Sequence, residues 1–453
     1  MSRTWPSRLI AGAIVGLCAL VAVPVAGAKK KDKGLGNVTP VIFVHGGSGS
    51  GAQFESQQMR LTSNGFPQRY INVLEYDTFT PLDESIDEVH ASLDALIERV
   101  KAETGEQQVD ILGHSRGTTV MHAYLASPER AANVRQYVNI DGRTADAPPG
   151  GVETLAIWAG TRTLGGDDDT VRQITGAQNV TIPNQTHVQV ATSEESFKPI
   201  FKFLIGQGPD TTNIKQGKKK VTVSGRAVVF PQNTSVPAGT ELELWRLKPA
   251  TGERKGRKPV EEPGLGADGS WGPLKLLRGK RYEFALLRAD GSVHHLYPEP
   301  FRRNDRLVRL LSSIPGEGIE SLLTFDAAST GMVITRYKEM WGDAGAESDV
   351  LTVNGNNVVT PALSPVSNTT NAVFVADFNE DGATDLSAPN PVLSSLPFLT
   401  GADVFVPAAS PPNDTVEVRL KSRGKGPARS LNFPNFPSST DRVSLSFADY
   451  EGK

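Results

Sequence analysis

Between Asn37 and about Gly208, short apolar runs alternate with stretches whose apolar residues recur every three or four positions, the pattern of a parallel sheet covered by helices. Residues 40–44, 70–75, 109–112, 136–140 and 154–158 are β-rich and read as buried strands, with a further strand-like run at 179–182. Between the second and third of these, Ile86, Val89, Leu93, Leu96, Ile97 and Val100 trace one helix, with Asp83 placed to cap its start and Gly105 its end. A last helix is expected over 194–204, followed by a linker over 206–212.

After Lys218-Lys219-Lys220, a run most simply read as a solvated linker face, the periodicity changes to two. Strands are predicted at 221–224, 241–245 and 282–287. A second β segment starts near Pro315, with strands at 331–335, 350–353, 372–375, 404–406, 416–420 and 443–447. The predicted organisation is therefore a leader over 1–28, an α/β domain over 37–208, and β segments over 218–314 and 315–453. Periodicity leaves open whether the two β segments make two sandwiches or one composite barrel.

The chain has 453 residues, of which 38% are hydrophobic and 21% charged, with 44 glycines and 31 prolines. Disorder, collagen and coiled coil are excluded by this composition. A formal charge of −3 gives no electrostatic reason for a polyanionic partner, so nucleic acid is not expected. The first 28 residues stand apart: Arg3 and Arg8 precede an apolar run over 9–25, and Ala26-Gly27-Ala28 offers a small-residue cleavage site. Secretion after cleavage near Ala28 is expected. Removing this leader removes the only cysteine, Cys18, so disulfides, zinc-thiolate sites and a cysteine nucleophile are not expected in the mature chain.

Gly113-His114-Ser115-Arg116-Gly117 fits G-x-S-x-G, and it lies between a predicted strand and a helical stretch starting at Thr118. That context suits a strained turn lifting the Ser115 hydroxyl above the sheet. A serine needs a base to accept its proton. Chain order leaves His122, His187, His294 and His295, and His187, in a loop between the run at 179–182 and the last helix, is the expected base. Two loops compete for the acid: Asp141, and Asp167-Asp168-Asp169. A run of three aspartates beside Gly165-Gly166 reads as a solvated loop, whereas the acid must be buried enough to hold the imidazole, which favours Asp141. The oxyanion donors are expected to be the backbone N–H groups of Arg116 and of Gly47 in His45-Gly46-Gly47.

The chain resembles secreted lipases and carboxylesterases of the α/β-hydrolase superfamily, most closely the archaeal long-chain lipase type with a C-terminal β-barrel domain. The resemblance is carried by Val44-His-Gly-Gly-Ser-Gly-Ser50, Ala52-Gln-Phe-Glu-Ser-Gln57, Leu74-Glu-Tyr-Asp-Thr78, Gly113-His-Ser-Arg-Gly117, Ser127-Pro-Glu-Arg-Ala131, Ile140-Asp-Gly142 and Thr186-His-Val-Gln189. Arg336-Tyr-Lys-Glu-Met340 and Pro397-Phe-Leu-Thr-Gly-Ala-Asp403 extend it into the β part. It implies an α/β-hydrolase fold, a mostly parallel sheet with helices on both faces, followed by an all-β C-terminal region. It also implies a triad of Ser115, Asp141 and His187, oxyanion donors Gly47 and Arg116, and no cofactor for catalysis.

Two departures from that pattern stand out. The lipase type inserts a long hydrophobic lid between the strand ending at Glu75 and that starting at Val109, where this chain has room for about one helix; interfacial activation and a strong long-chain preference lose their basis. Arg116 replaces an apolar residue, and a guanidinium beside the site is expected to bias substrate choice.

Separately, Asp377, Asn379, Asp381 and Asp385 match part of a calcium loop, but position twelve would be Ala388, so a structural calcium site and an Asp/Asn-rich turn both stay open. The expected function is a secreted serine ester hydrolase acting on a lipid or other ester. The alternatives are an extracellular polyester depolymerase or short-chain esterase and, in another class, a non-catalytic surface-binding protein on a hydrolase scaffold. Acyl-chain length and oligomeric state are not readable from the sequence.

Overall fold

The computed structural model describes residues 35, 38–161, 172–424 and 426–450, so the leader over 1–28 and Asp167-Asp168-Asp169 lie outside the described residues. In chain order the first region runs β1 (Val41–Val44), α1 (Glu55–Ser63), β2 (Ile71–Leu74), α2 (Leu82–Thr104), β3 (Val109–His114), α3 (Arg116–Leu125) and a single turn, α4 (Pro128–Ala131). It continues with β4 (Val134–Ile140), β5 (Glu153–Ala159), β6 (Gln178–Ile182), α5 (Gln189–Thr192) and α6 (Glu194–Ile205). The six strands form one all-parallel sheet in the order β2-β1-β3-β4-β5-β6. Burial on both faces explains why the strands read as continuous apolar runs. One core packs Phe43, Leu112, Val138 and Ile157 against Phe197 and Phe201 of α6, and the other packs Ile42, Val44 and Ile111 against Leu93 and Ile97 of α2.

α2 ends at Gly105, whose φ of 79° supplies the left-handed C-cap. Its start differs from expectation. Pro81 occupies the N-cap without a side-chain bond, so Asp83, with Glu84, acts from inside the first turn through the helix dipole rather than as a cap. α2 is also the only helix longer than one turn between β2 and β3, so the short gap read from sequence holds one amphipathic helix.

Among the described residues the β region builds three sheets. The largest has seven strands in the order Leu399–Asp403, Ala372–Ala376, Met332–Arg336, Asp441–Phe447, Val293–Pro298, Tyr282–Leu287, Glu241–Arg246. Three of these come from the first β segment and four from the second, joined where Asp441–Phe447 pairs in parallel with Val293–Pro298. The two segments are thus one composite structure. The strand expected at 404–406 falls instead at Leu399–Asp403; Val404 and Val406 are buried core residues without a ladder partner of that kind. Gly34–Lys453 forms one compact unit, and Leu307 of the β region sits in the same core as Phe43.

Candidate active site

Ser115 occupies the single residue between β3 and α3 with φ 53° and ψ −122°, a conformation costing a non-glycine residue about 1–3 kcal/mol. The turn is held by Ser115 N–H donating to Ile140 O at 3.0 Å and by Thr118 N–H donating to Ser115 O at 2.9 Å. The glycines around it are set by close approach. A Cβ on Gly117 would lie 2.4 Å from Val44 O, and one on Gly46 would lie 3.0 Å from Ser115 Cβ. Only a bare backbone lets α3 start this close to β1.

Asp141 follows β4, also at positive φ (43°), and is buried. Its Oδ2 accepts from His187 Nδ1 at 2.6 Å, and its Oδ1 accepts from Ala159 N–H at 2.8 Å and pairs with Arg172 Nη1 at 2.8 Å. Burial alone would raise the Asp141 carboxyl, but the bond and charge of His187, the charge of Arg172 and the Ala159 N–H together hold it below its ordinary value. With Nδ1 committed to the carboxylate, His187 presents the lone pair of Nε2, which is buried and has no hydrogen-bond partner among the described residues. Ser115 and His187 line the same cavity, of about 400 Å³, and Nε2 is not bonded to the Ser115 hydroxyl in this conformer.

His114 braces this arrangement from below. Gln53 Nε2 donates to His114 Nδ1 at 2.8 Å, so the ring proton sits on Nε2, which donates to the backbone O of His187 at 2.9 Å. Burial, reinforced by the neighbouring His187, pushes His114 down to about 3, so it stays neutral in this role.

The N–H of Arg116 is the first of α3 and has no intrahelical acceptor, and the N–H of Gly47 is unpaired among the described residues. The Arg116 guanidinium turns away from the reacting groups: it donates to Thr80 O at 2.6 Å and Thr78 O at 3.3 Å. The expected bias from a guanidinium beside the site is therefore corrected. Of the other histidines in the running, His122 bonds Asn139, His295 is locked between Glu283 at 2.6 Å and Asp441 at 2.9 Å, and His294 lines the same cavity from the β region, bonded to Ser444 at 2.7 Å.

The sequence reading missed the β region's share of the site. Glu339, fully buried, accepts the N–H of Val188 at 2.6 Å and of Gln189 at 2.9 Å, clamping the residues that follow His187. Its backbone O takes Arg336 Nη2 and Arg423 Nη1. Both arginines converge on buried Asp349, whose carboxyl they hold well below the usual range against the cost of burial. Phe398 stacks over the His187 ring at 6.3 Å, and Phe374 and Phe378 continue the apolar wall. Arg336-Tyr-Lys-Glu-Met340 and the segment around Phe398 were visible as sequence features, but nothing local told which loop they would meet.

Of the calcium site and the Asp/Asn-rich turn left open at Asp377, Asn379, Asp381 and Asp385, the described geometry is that of turns. Asp377 Oδ2, Asp381 Oδ1 and Asp385 Oδ1 each accept a backbone N–H in successive turns, and no group of three or more His, Cys, Asp or Glu side chains suited to a metal occurs among the described residues.

Comparison with known proteins bears on what this site does. A lipase (class 2) model matches residues 38–136, a lipase C-terminal domain model matches 219–315, and a further C-terminal domain model matches 318–451. Together they fit a lipase with an extra C-terminal domain. The chain is a carboxylic ester hydrolase of the lipase type. Solved structures similar to this hydrolase include a predicted CIB-like hydrolase from Thermoplasma acidophilum, 13% identical over 39% of this chain and 89% of that one, with a TM-score of 0.27. Est1E from Butyrivibrio proteoclasticus is 13% identical over 38% of this chain and 90% of that one, with a TM-score of 0.27. At such values they add no weight of their own. No curated protein matches the hydrolase.

Proposed function

We propose that this hydrolase is a secreted enzyme cleaving lipid acyl esters through an acyl-serine intermediate on Ser115. His187 accepts the serine proton and returns it to the leaving alcohol, Asp141 holds the imidazole in the tautomer that frees Nε2, and the Gly47 and Arg116 N–H groups stabilise the oxyanion. Water then attacks the acyl-serine with His187 again as base. The observation that carries this reading is the joint geometry of a strained Ser115 and a His187 whose Nδ1 is bonded to Asp141 at 2.6 Å while Nε2 is unpartnered in the same cavity. Apolar walls from Phe374, Phe378 and Phe398 suit an acyl chain better than the flat contact of a solid polymer. Export rests on the leader ending near Ala28.

A fluorophosphonate probe tests the serine assignment. One equivalent is expected to attach, and peptide mass spectrometry is expected to place it on Ser115, with Ser115→Ala unlabelled. Labelling of the alanine variant would move the nucleophile to another residue, and no labelling of the wild type would support the non-catalytic scaffold instead.

A further inference from the structure

The loop after β1 carries one of the proposed oxyanion donors in a backbone conformation that needs support. Gly46 N–H is directed to Gln53 Oε1 at 3.5 Å, while the N–H of Gly47, on the cavity wall, is uncommitted among the described residues. Ser48, the next residue, sits at φ 49°, in the left-handed region that serine rarely adopts. Such a conformation persists only where the surrounding groups over-determine it. The direction of the Gly47 N–H therefore depends on what holds the residues beside Ser48.

Three side chains of the β region hold them. Asn233, buried between the strands Lys220–Val229 and Thr234–Ser235, donates through Nδ2 to Gly49 O at 2.9 Å and to Tyr76 O at 3.0 Å, so one amide ties the loop after β1 to the loop after β2. Two carbonyl acceptors on one nitrogen fix which way that amide points. Tyr337 OH bonds the Ser50 hydroxyl at 3.1 Å. Arg309 Nε donates to Glu75 Oε1 at 2.5 Å, and the same oxygen accepts the Gly51 N–H at 3.0 Å. Burial would raise the Glu75 carboxyl, but the charge of Arg309 and then the bond and charge of His45 hold it well below its ordinary value, so it remains an acceptor.

Asn233 is the member of this set whose effect can be read apart from substrate contact. Its neighbours Gln232 and Thr234 line the cavity, whereas Asn233 commits both amide protons to the two loops. It sits at φ 56°, a conformation that asparagine and glycine both accept, so glycine in its place removes the two donors without straining the turn. An oxyanion donor stabilises the transition state more than the bound ester, so a displaced loop lowers kcat and leaves KM little changed.

We propose that Asn233 of the β region is a positioning residue for the oxyanion loop, fixing the Gly47 N–H through Gly49 O, with the Tyr337–Ser50 contact as a second fastening. The proposal deepens the serine-esterase reading and rests on it. It is tested with Asn233→Gly and Tyr337→Phe. kcat and KM on p-nitrophenyl butyrate are measured per phosphonate-titrated serine, which counts folded sites only. The second readout is Ki for butylboronic acid, whose tetrahedral adduct on Ser115 places an oxygen at the oxyanion donors. In Asn233→Gly, kcat is expected to fall about tenfold or more with KM within about twofold, and Ki to rise by the same factor as kcat/KM falls. Tyr337→Phe is expected to keep that proportion at a smaller size. Values of kcat and Ki within about twofold of the wild type in both variants, whatever their melting temperatures, overturn the proposal and leave the serine reading standing. So does a fall in kcat with Ki unchanged. If Asn233→Gly yields no titratable serine, Tyr337→Phe decides alone. A wild type that neither labels nor hydrolyses overturns the serine reading and the proposal with it.

Discussion

In the parallel-sheet region, each group proposed for chemistry sits just past the C-terminal end of a strand: Gly47 after β1, Ser115 after β3 and Asp141 after β4, with His187 in the loop after β6. In the β region the contributing groups come from scattered places: Phe398 from a loop, Ser444 and His294 from strand faces and Glu320 from the link between the β segments line the cavity, and Glu339, from another loop, holds the residues after His187. The first arrangement is local. Turn, strain and glycine contacts are fixed among neighbouring strand ends of one sheet, as where Gly117 meets Val44 O and Ser115 N–H meets Ile140 O, and the proposed chemistry follows. The second is made by long-range packing, and it governs how the histidine loop is held and what the acyl chain meets. Reaction and environment are thus supplied by different parts of one chain.

The sharpest way to break this division is to damage the β region's grip on the histidine. In Glu339→Gln, one of the two carboxylate oxygens facing Val188 and Gln189 is replaced by an amide N–H₂ that opposes a backbone N–H. We expect kcat on a p-nitrophenyl ester to fall by roughly ten- to a hundredfold with KM little changed, because the loss lies in positioning His187 rather than in substrate binding. The phosphonate-reactive fraction should stay near that of the wild type. A rise in KM at constant kcat would place Glu339 in substrate binding instead.

A smaller effect separates the regions by pH. His114, belonging to the first region, is held down to about 3 against an ordinary value of about 6.5. Between these values the unfolded chain binds the proton and the folded one does not, so this residue costs stability as pH falls from about 6.5 towards 3, by up to about 1.4 kcal/mol per pH unit. Asp110 and Asp305, both raised to about 6 by burial, act in the opposite sense, gaining stability as pH falls through 6. The informative quantity is therefore the difference between the wild type and His114→Asn in denaturant unfolding at several pH values. Equal slopes in the two proteins would show that His114 is not buried neutral.

This contrast also explains what the sequence made legible. The strands β1 to β6 were readable because strands buried on both faces are apolar throughout, and Ser115 because its strain needs glycines on either side. His187 and Asp141 followed from chain order and from the exposed character expected of the aspartate run. Glu339 was not readable in its role, since a glutamate in a loop gives no sign that it meets backbone N–H groups about 150 residues earlier. The strand at Leu399–Asp403 was displaced in the reading towards Val404 and Val406 because Thr400, Gly401 and Asp403 dilute its apolar pattern, and core burial outside a ladder imitates a strand. The Asp377–Asp385 pattern matched calcium-loop spacing, but spacing alone does not distinguish converging ligands from turns that cap their own backbone.

The most direct test is hydrolysis of a p-nitrophenyl ester series, acetyl to palmitoyl, by the chain without residues 1–28 and by its Ser115→Ala variant. The predicted result is a kcat/KM that rises with chain length as the apolar wall is filled, and a fall of about 10⁴-fold or more in kcat in the alanine variant. Equal activity of the two proteins, or no hydrolysis at any length, would contradict a Ser115 esterase sheltered by the β region.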